Sequence, residues 1–195
     1  MKHEEFAKSE IEKAVGVLDS MLRDAALLGT IARVGRMGAG VIRAGNKVIF
    51  CGNGGSAADS QHLAAELVGK LNINRPGMAG VALTVDSSAL TAIGNDFGYD
   101  FIFSRQLEAI GRPGDLIVGI STSGRSKNVV AAFEVAKRMG IQIVAMTGSR
   151  HGPMAELADA WLAAPHLETQ KIQEAHIVMG HIFCGIIETE IHGKN

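Results

Sequence analysis

Short runs that are apolar throughout alternate along this chain with longer stretches in which apolar residues recur every three or four positions. Runs of the first kind, at residues 48–51, 81–85, 116–120, 141–147 and 160–163, each predict a strand buried on both faces. Stretches of the second kind predict helices over 57–70, 88–93, 101–110, 128–139, 153–158 and 171–192. Strands and helices in alternation predict a doubly wound α/β domain, with a five-stranded parallel sheet and helices on both faces.

Ahead of this alternation the pattern changes. Residues 4–28 predict one long helix in which Ile11, Val15, Leu18, Leu22 and Ala25 fall at alternating four- and three-residue steps. Such a stripe packs against another helix. Residues 31–43 predict a second helix that ends near Gly45. The stripe could pack on the chain's own core or join subunits; because it lies outside the alternating unit, a contact between subunits is the reading favoured. The chain then divides into an N-terminal helical oligomerisation segment, residues 1–45, and a ligand-binding domain, residues 46–195. The closing helix, KIQEAHIVMGHIFCGIIETEIH, is apolar almost all round, which calls for burial in a core or an oligomer.

Composition narrows the function classes. The chain has 195 residues, 47% of them hydrophobic and 20% charged, and a net charge of −1. That is the profile of a globular domain with a sizeable core. No basic stripe is present, and one Trp and one Tyr supply no stacking platform, so a nucleic-acid partner is not expected. No uncharged apolar run reaches the ~18–20 residues that span a bilayer, and no membrane partner is expected. The charged N-terminus, MKHEEFAKSEIEKAV, lacks the apolar core of a signal peptide. Cys51 and Cys184 form neither a disulfide framework nor a CxxC metal site, and a cytoplasmic location is expected.

Two strand-to-helix corners carry chemistry. The strand at 48–51 runs directly into CGNGGSAAD (51–59), a Gly-rich turn that opens a helix. Glycines let the backbone approach an anion closely, and the first N–H groups of a helix point at it. The arrangement recurs where the strand at 116–120 meets STSGRS (121–126) and the next helix. Both turns lie at the carboxyl ends of strands, where ligands of such sheets bind, and together they point to one phosphorylated ligand.

His62 and Glu66 lie four apart on the helix after the first turn and share a face. They can chelate one metal ion or act as an acid/base pair, although spacing alone equally fits a solvated surface pair. Gln173, His176 and His181 interrupt the closing helix. Gln173 and His181 are separated by about 80° around it, so a ligand between their arcs could meet both. A hydrogen-bonded core group is the ordinary reading for each, and it is the one kept for His176. Residues 91–100, TAIGNDFGYD, read as a polar loop that either carries ligand contacts or simply turns. Cys51 reads as an inert buried thiol.

The strings CGNGGSAADSQHLAAEL, RPG, LTAIGNDFGYD, FSRQ, GDLIVGISTSGRSKNV and IQEAHIVMGH follow in order between residues 51 and 181. They resemble the sugar isomerase domain family and, within it, the phosphoheptose isomerases. The two turns are common to many sugar-phosphate-binding relatives, whereas the set His62, Glu66, Gln173 and His181 is far more specific. The resemblance implies that these four hold one Zn2+ per subunit and that Glu66 and His181 are the catalytic acid/base groups. It implies phosphosugar contacts at Asn53, Gly54, Gly55 and Ser56, at Ser121, Thr122, Ser123 and Ser126, at Asn95 and Asp96, and at Glu66 and Gln173. It further implies a homotetramer with active sites built from adjacent subunits. The implied reaction converts sedoheptulose 7-phosphate to D-glycero-D-manno-heptose 7-phosphate, the first step of bacterial heptose synthesis for lipopolysaccharide or other surface glycans. Gln170 departs from the pattern, because some members carry Asp there, and this bears on one sugar contact.

Two other functions fit parts of the pattern. One relative in the family binds the bacterial replication initiator; it keeps the turns, but its acidic-ligand and final-histidine positions are replaced. Glu66 and His181 both stand here. An isomerase or deaminase acting on another phosphosugar would share the turns but not the four-residue set.

Overall fold

The apolar runs form one sheet. In the computed structural model, which describes residues 2–193, the strands are β1 (Val48–Gly52), β2 (Gly80–Ala82), β3 (Leu116–Ser121), β4 (Gln142–Gly148) and β5 (Ala160–Ala164). All neighbours pair in parallel, in the order β2-β1-β3-β4-β5. Every residue of β1 and β3 is buried, as a sheet covered on both faces requires. Alternate side chains enter opposite cores. Phe50 and Val118 join Leu63, Leu67, Met179 and Phe183 on one face, and Ile49 and Ile117 join Leu107, Val129 and Phe133 on the other.

The helices are α1 (His3–Arg23), α2 (Ala25–Arg43), α3 (Gly55–Val68), α4 (Ser87–Asp96), α5 (Ser104–Ile110), α6 (Lys127–Met139), α7 (Pro153–Leu157) and α8 (Thr169–His192). The N-terminal pattern is cut differently from the sequence expectation. Asp24 accepts a hydrogen bond from the Leu27 N–H at 2.9 Å and caps α2, so the first helix stops at Arg23 and Ala25 opens the second. The stretch expected as a loop at 91–100 is helical through Asp96. Asp86 caps that helix, and Leu90 and Ile93 pack on the core three residues apart. Edge strand β2 ends at Ala82, short of the expected Val85, and Val85 is exposed.

By length and composition α2 is apolar enough to cross a bilayer. Its Leu27, Ile31, Val34 and Val41 are instead buried in the core, packed chiefly on α8. On α1, Val17 and Met21 face inward, while the stripe Ile11, Val15, Leu18 and Leu22 points outward, with Ile11 66% and Leu22 70% exposed. Lys171 of α8 is buried and ties α1 down. Its Nζ donates to the Glu10 carbonyl at 3.0 Å and pairs with Glu10 Oε2 at 3.4 Å and Glu174 Oε1 at 3.0 Å.

Candidate active site

The strand order reverses direction between β1 and β3, which makes the gap beyond their carboxyl ends a topological switch point. Both Gly/Ser turns leave the sheet there. In the first, Gly54 has φ 57°, a conformation that an L side chain resists, and it directs the chain into α3. At Gly55 next to it a Cβ would displace the Gln173 amide. Ser56 is buried and Asn53 half-buried. In the second turn the hydroxyls converge. Ser121 Oγ lies 2.8 Å from Ser126 Oγ and 3.3 Å from Ser123 Oγ, and the Arg125 N–H donates to Ser123 Oγ at 3.2 Å. Thr122 and Ser123 line a cleft of about 230 Å³ with Arg125, Ser149 and Arg150.

α3 and α8 lie side by side, with Gln173 against Gly55 at one end and Cys184 reaching the Leu63 carbonyl further along. This register brings three chemical groups together. His62 Nε2 stands 2.9 Å from His181 Nε2 and 3.2 Å from Glu66 Oε1. One ligand atom from each of His62, Glu66 and His181 lies within 4.8 Å of the others. Two imidazole nitrogens and a carboxylate oxygen are the donor set of a divalent transition metal such as zinc. A four-coordinate ion with bonds of about 2.0–2.1 Å would hold its donors about 3.3 Å apart, close to the spacing seen. The residues therefore fit a metal ion.

Asp59 was missed by the sequence reading. It precedes His62 by three and Glu66 by seven, so the helical period puts all three on one face, and that spacing was a signal available in the sequence. Its Oδ2 is buried with no hydrogen-bond partner among the described residues. Burial pushes its carboxyl above the usual range, against the pull of the Gln173 side chain and of His62 and His181. An orphaned carboxylate oxygen beside two imidazoles is a second mark of a site built for positive charge.

The other expected residues are placed as follows. Gln173 is half-buried between the first turn and Asp59. Asn95 and Asp96 are exposed in the last turn of α4, bonded to each other at 2.8 Å, apart from the His62, Glu66 and His181 cluster. His176 is buried, as expected of a core group; the Thr147 backbone acts on it, but among the described residues neither ring nitrogen completes a hydrogen bond of ordinary geometry. Burial pushes the Cys51 thiol up to about 12, in keeping with an inert role.

A parallel α/β domain with two Gly/Ser turns at its switch point belongs to the doubly wound class that binds ligands there. The chain belongs to the SIS domain family, whose model matches residues 11–148. The match stops before α8, which supplies Gln173 and His181. The chain is 53% identical over 189 residues to a phosphoheptose isomerase of Akkermansia muciniphila, covering 97% of this chain and 98% of that one. It is similar in structure to a phosphoheptose isomerase of Neisseria gonorrhoeae, with TM-score 0.89, 39% identity and coverage of 95% and 98%. A phosphoheptose isomerase of Francisella tularensis superposes with TM-score 0.92 at 30% identity, covering 97% of this chain and all of that one.

Proposed function

We propose that this protein is a phosphoheptose isomerase that interconverts sedoheptulose 7-phosphate and D-glycero-D-manno-heptose 7-phosphate. The observation that carries this reading is the convergence of His62, Glu66 and His181 beside two phosphate-receptive turns. Moving a carbonyl between C1 and C2 requires a proton to leave one carbon and return to the next, and an enediolate forms on the way. Glu66 and His181 are the acid/base pair for these transfers, one serving carbon and the other oxygen. His62, Glu66, Gln173 and His181 would hold one Zn2+. When bound, such an ion supplies Lewis-acid stabilisation of negative charge on oxygen.

The turn hydroxyls at Ser121, Thr122, Ser123 and Ser126, with the backbone at Asn53, Gly54, Gly55 and Ser56, would seat the phosphate. Binding energy gained there orients carbons several bonds away. Asn95 and Asp96, exposed in this subunit, would reach the sugar across a subunit boundary. That role accords with a homotetramer joined through residues 1–45. The proposed setting is the cytoplasm, where the product would feed lipopolysaccharide or another surface glycan.

The test is incubation of purified, metal-loaded protein with sedoheptulose 7-phosphate, with the aldose product followed directly and alongside a panel of hexose and amino-sugar phosphates. Turnover of the heptulose alone is the expected outcome. Preference for a six-carbon phosphosugar would replace the substrate, and absence of all turnover would replace the reading with a binding function.

A further inference from the structure

The two turns are bolted together by a pair of amides. Asn53 sits in the first turn, and Asn128 in the first turn of α6, just beyond the second. Asn53 Nδ2 donates to Asn128 Oδ1 at 2.9 Å, and Asn128 Nδ2 donates back to Asn53 Oδ1 at 2.8 Å. Tyr99 Oη also donates to Asn53 Oδ1, at 2.9 Å, from the 3-10 turn after α4. Asn128 is buried, whereas Tyr99 is 62% exposed.

A side-chain amide has two lone pairs on oxygen and two hydrogens on nitrogen. In Asn53 both lone pairs and one hydrogen are engaged, which leaves a single N–H. We infer that Asn128 is a positioning residue: its reciprocal pair holds the plane of the Asn53 amide, while Tyr99, donating to the Asn53 oxygen, leaves the nitrogen as the end free for a ligand atom that can only accept, such as a phosphate oxygen. The inference rests on the reading that these turns seat a phosphosugar. Without these contacts, the terminal torsion of an asparagine is broad and nearly two-fold. A free Asn53 would then present its carbonyl oxygen to the anion in part of its population, and that orientation repels it. The same pair also fixes the distance between two turns that belong to different strands.

Inorganic phosphate is the probe. Its affinity is measured by calorimetry on the metal-loaded protein and, separately, as competitive inhibition of isomerisation. Asn128→Ala and Asn53→Ala are each expected to weaken phosphate binding by about three- to tenfold, the range for a neutral hydrogen bond. The double variant should be no weaker than Asn53→Ala alone, because Asn128 acts through Asn53. Tyr99→Phe, at an exposed position that leaves the fold intact, should weaken binding by about two- to threefold. Asn53→Asp keeps the shape, loses the donor and should weaken binding more than Asn53→Ala. Multiplying losses in the double variant would overturn the inference, as would parent-like affinity in Asn128→Ala. Should Asn128→Ala fail to fold, parent-like affinity in both Tyr99→Phe and Asn53→Asp overturns it. A parent protein that neither binds phosphate nor turns over a phosphosugar would bring down the reading of the site, and the inference with it. Parent activity with unaffected variants would bring down the inference alone.

Discussion

Glu66 stands where two demands meet, within 3.2 Å of His62 and on the face that also carries Asp59. Glu66→Gln keeps the shape and removes the basic carboxylate. Turnover should fall at least about a hundredfold, and deuterium exchange from solvent into the sugar should fall in parallel if Glu66 is the base on carbon. Exchange at the parent rate would assign that proton to His181. His62→Ala should lose most of the bound divalent metal, read by atomic emission, and undiminished metal content would remove His62 from the ligand set. His176 makes a different case. Burial lowers its pKa from 6.5 to about 4, with the Thr147 backbone pulling weakly the other way. The folded value lies below the unfolded one, so the unfolded chain takes up the proton first. Stability is unaffected above about pH 6.5 and is lost as pH falls toward about 4, where the loss reaches about 3 kcal/mol. His176→Leu should shrink the drop in urea midpoint between about pH 7.5 and about pH 5, and an equal drop in both proteins would show that this imidazole is not the cause. At this scale the sequence was legible wherever helical spacing decides, as for His62 with Glu66. It was silent where partners come from other elements, as for Asn53 with Asn128 or for the missing partner of His176.

Elements were read well where the apolar pattern was long and unmixed. Strands β1 and β3 appear as expected, because burial on both faces leaves little choice of residue, and β4, β5 and the closing helix follow closely, whereas the partly exposed edge strand β2 is shorter than its apolar run. The reading fell short at α4: the helix expected over 88–93 runs on to Asp96, through Gly94 and polar neighbours that looked like a loop. A cap at Asp86 and two core contacts outweighed them. It failed again at Asp24, whose capping role was hidden inside a continuous apolar stripe. The RPG string acquires a purpose at this scale. Arg75 donates to the carbonyls of Glu66 and Leu67 at 2.8 Å and of Gly69 at 3.1 Å, closing the carboxyl end of α3. Its Nε lies 3.1 Å from Glu188 of α8, and both side chains are 1% exposed. Burial pushes the Glu188 carboxyl up, but the N–H groups of Asn72, Leu71 and Ile73, with Arg75, outweigh it and hold it below the usual range. Arg75→Met leaves that carboxylate buried without its cation, and should cost about 3–5 kcal/mol in urea unfolding. Arg75→Lys should restore only part of this, because an ammonium cannot reach the same spread of acceptors.

For the molecule as a whole, α1 carries apolar side chains on two faces, and only Val17 and Met21 are covered within the subunit. Uncovered Ile11, Val15, Leu18 and Leu22 form the stripe that the sequence reading assigned to a subunit contact. Replacing Leu18 and Leu22 with Asp should dissociate the proposed homotetramer in light scattering, with activity lost in step, since charges in an apolar seam are strongly unfavourable. A variant that keeps both its mass and its activity would send the search for the interface elsewhere. Lys171 extends the argument inward. It grips Glu10 of α1 and Glu174 of α8, and Lys171 and Glu174 flank Gln173 in the chain. Any neighbour that presses on α1 thus leans, through one ammonium group, on the turn of helix that presents Gln173. In the proposed homotetramer, mass action would then enter the kinetics. Rate per subunit should stop being constant and decline as the enzyme is diluted, recovering when it is concentrated again.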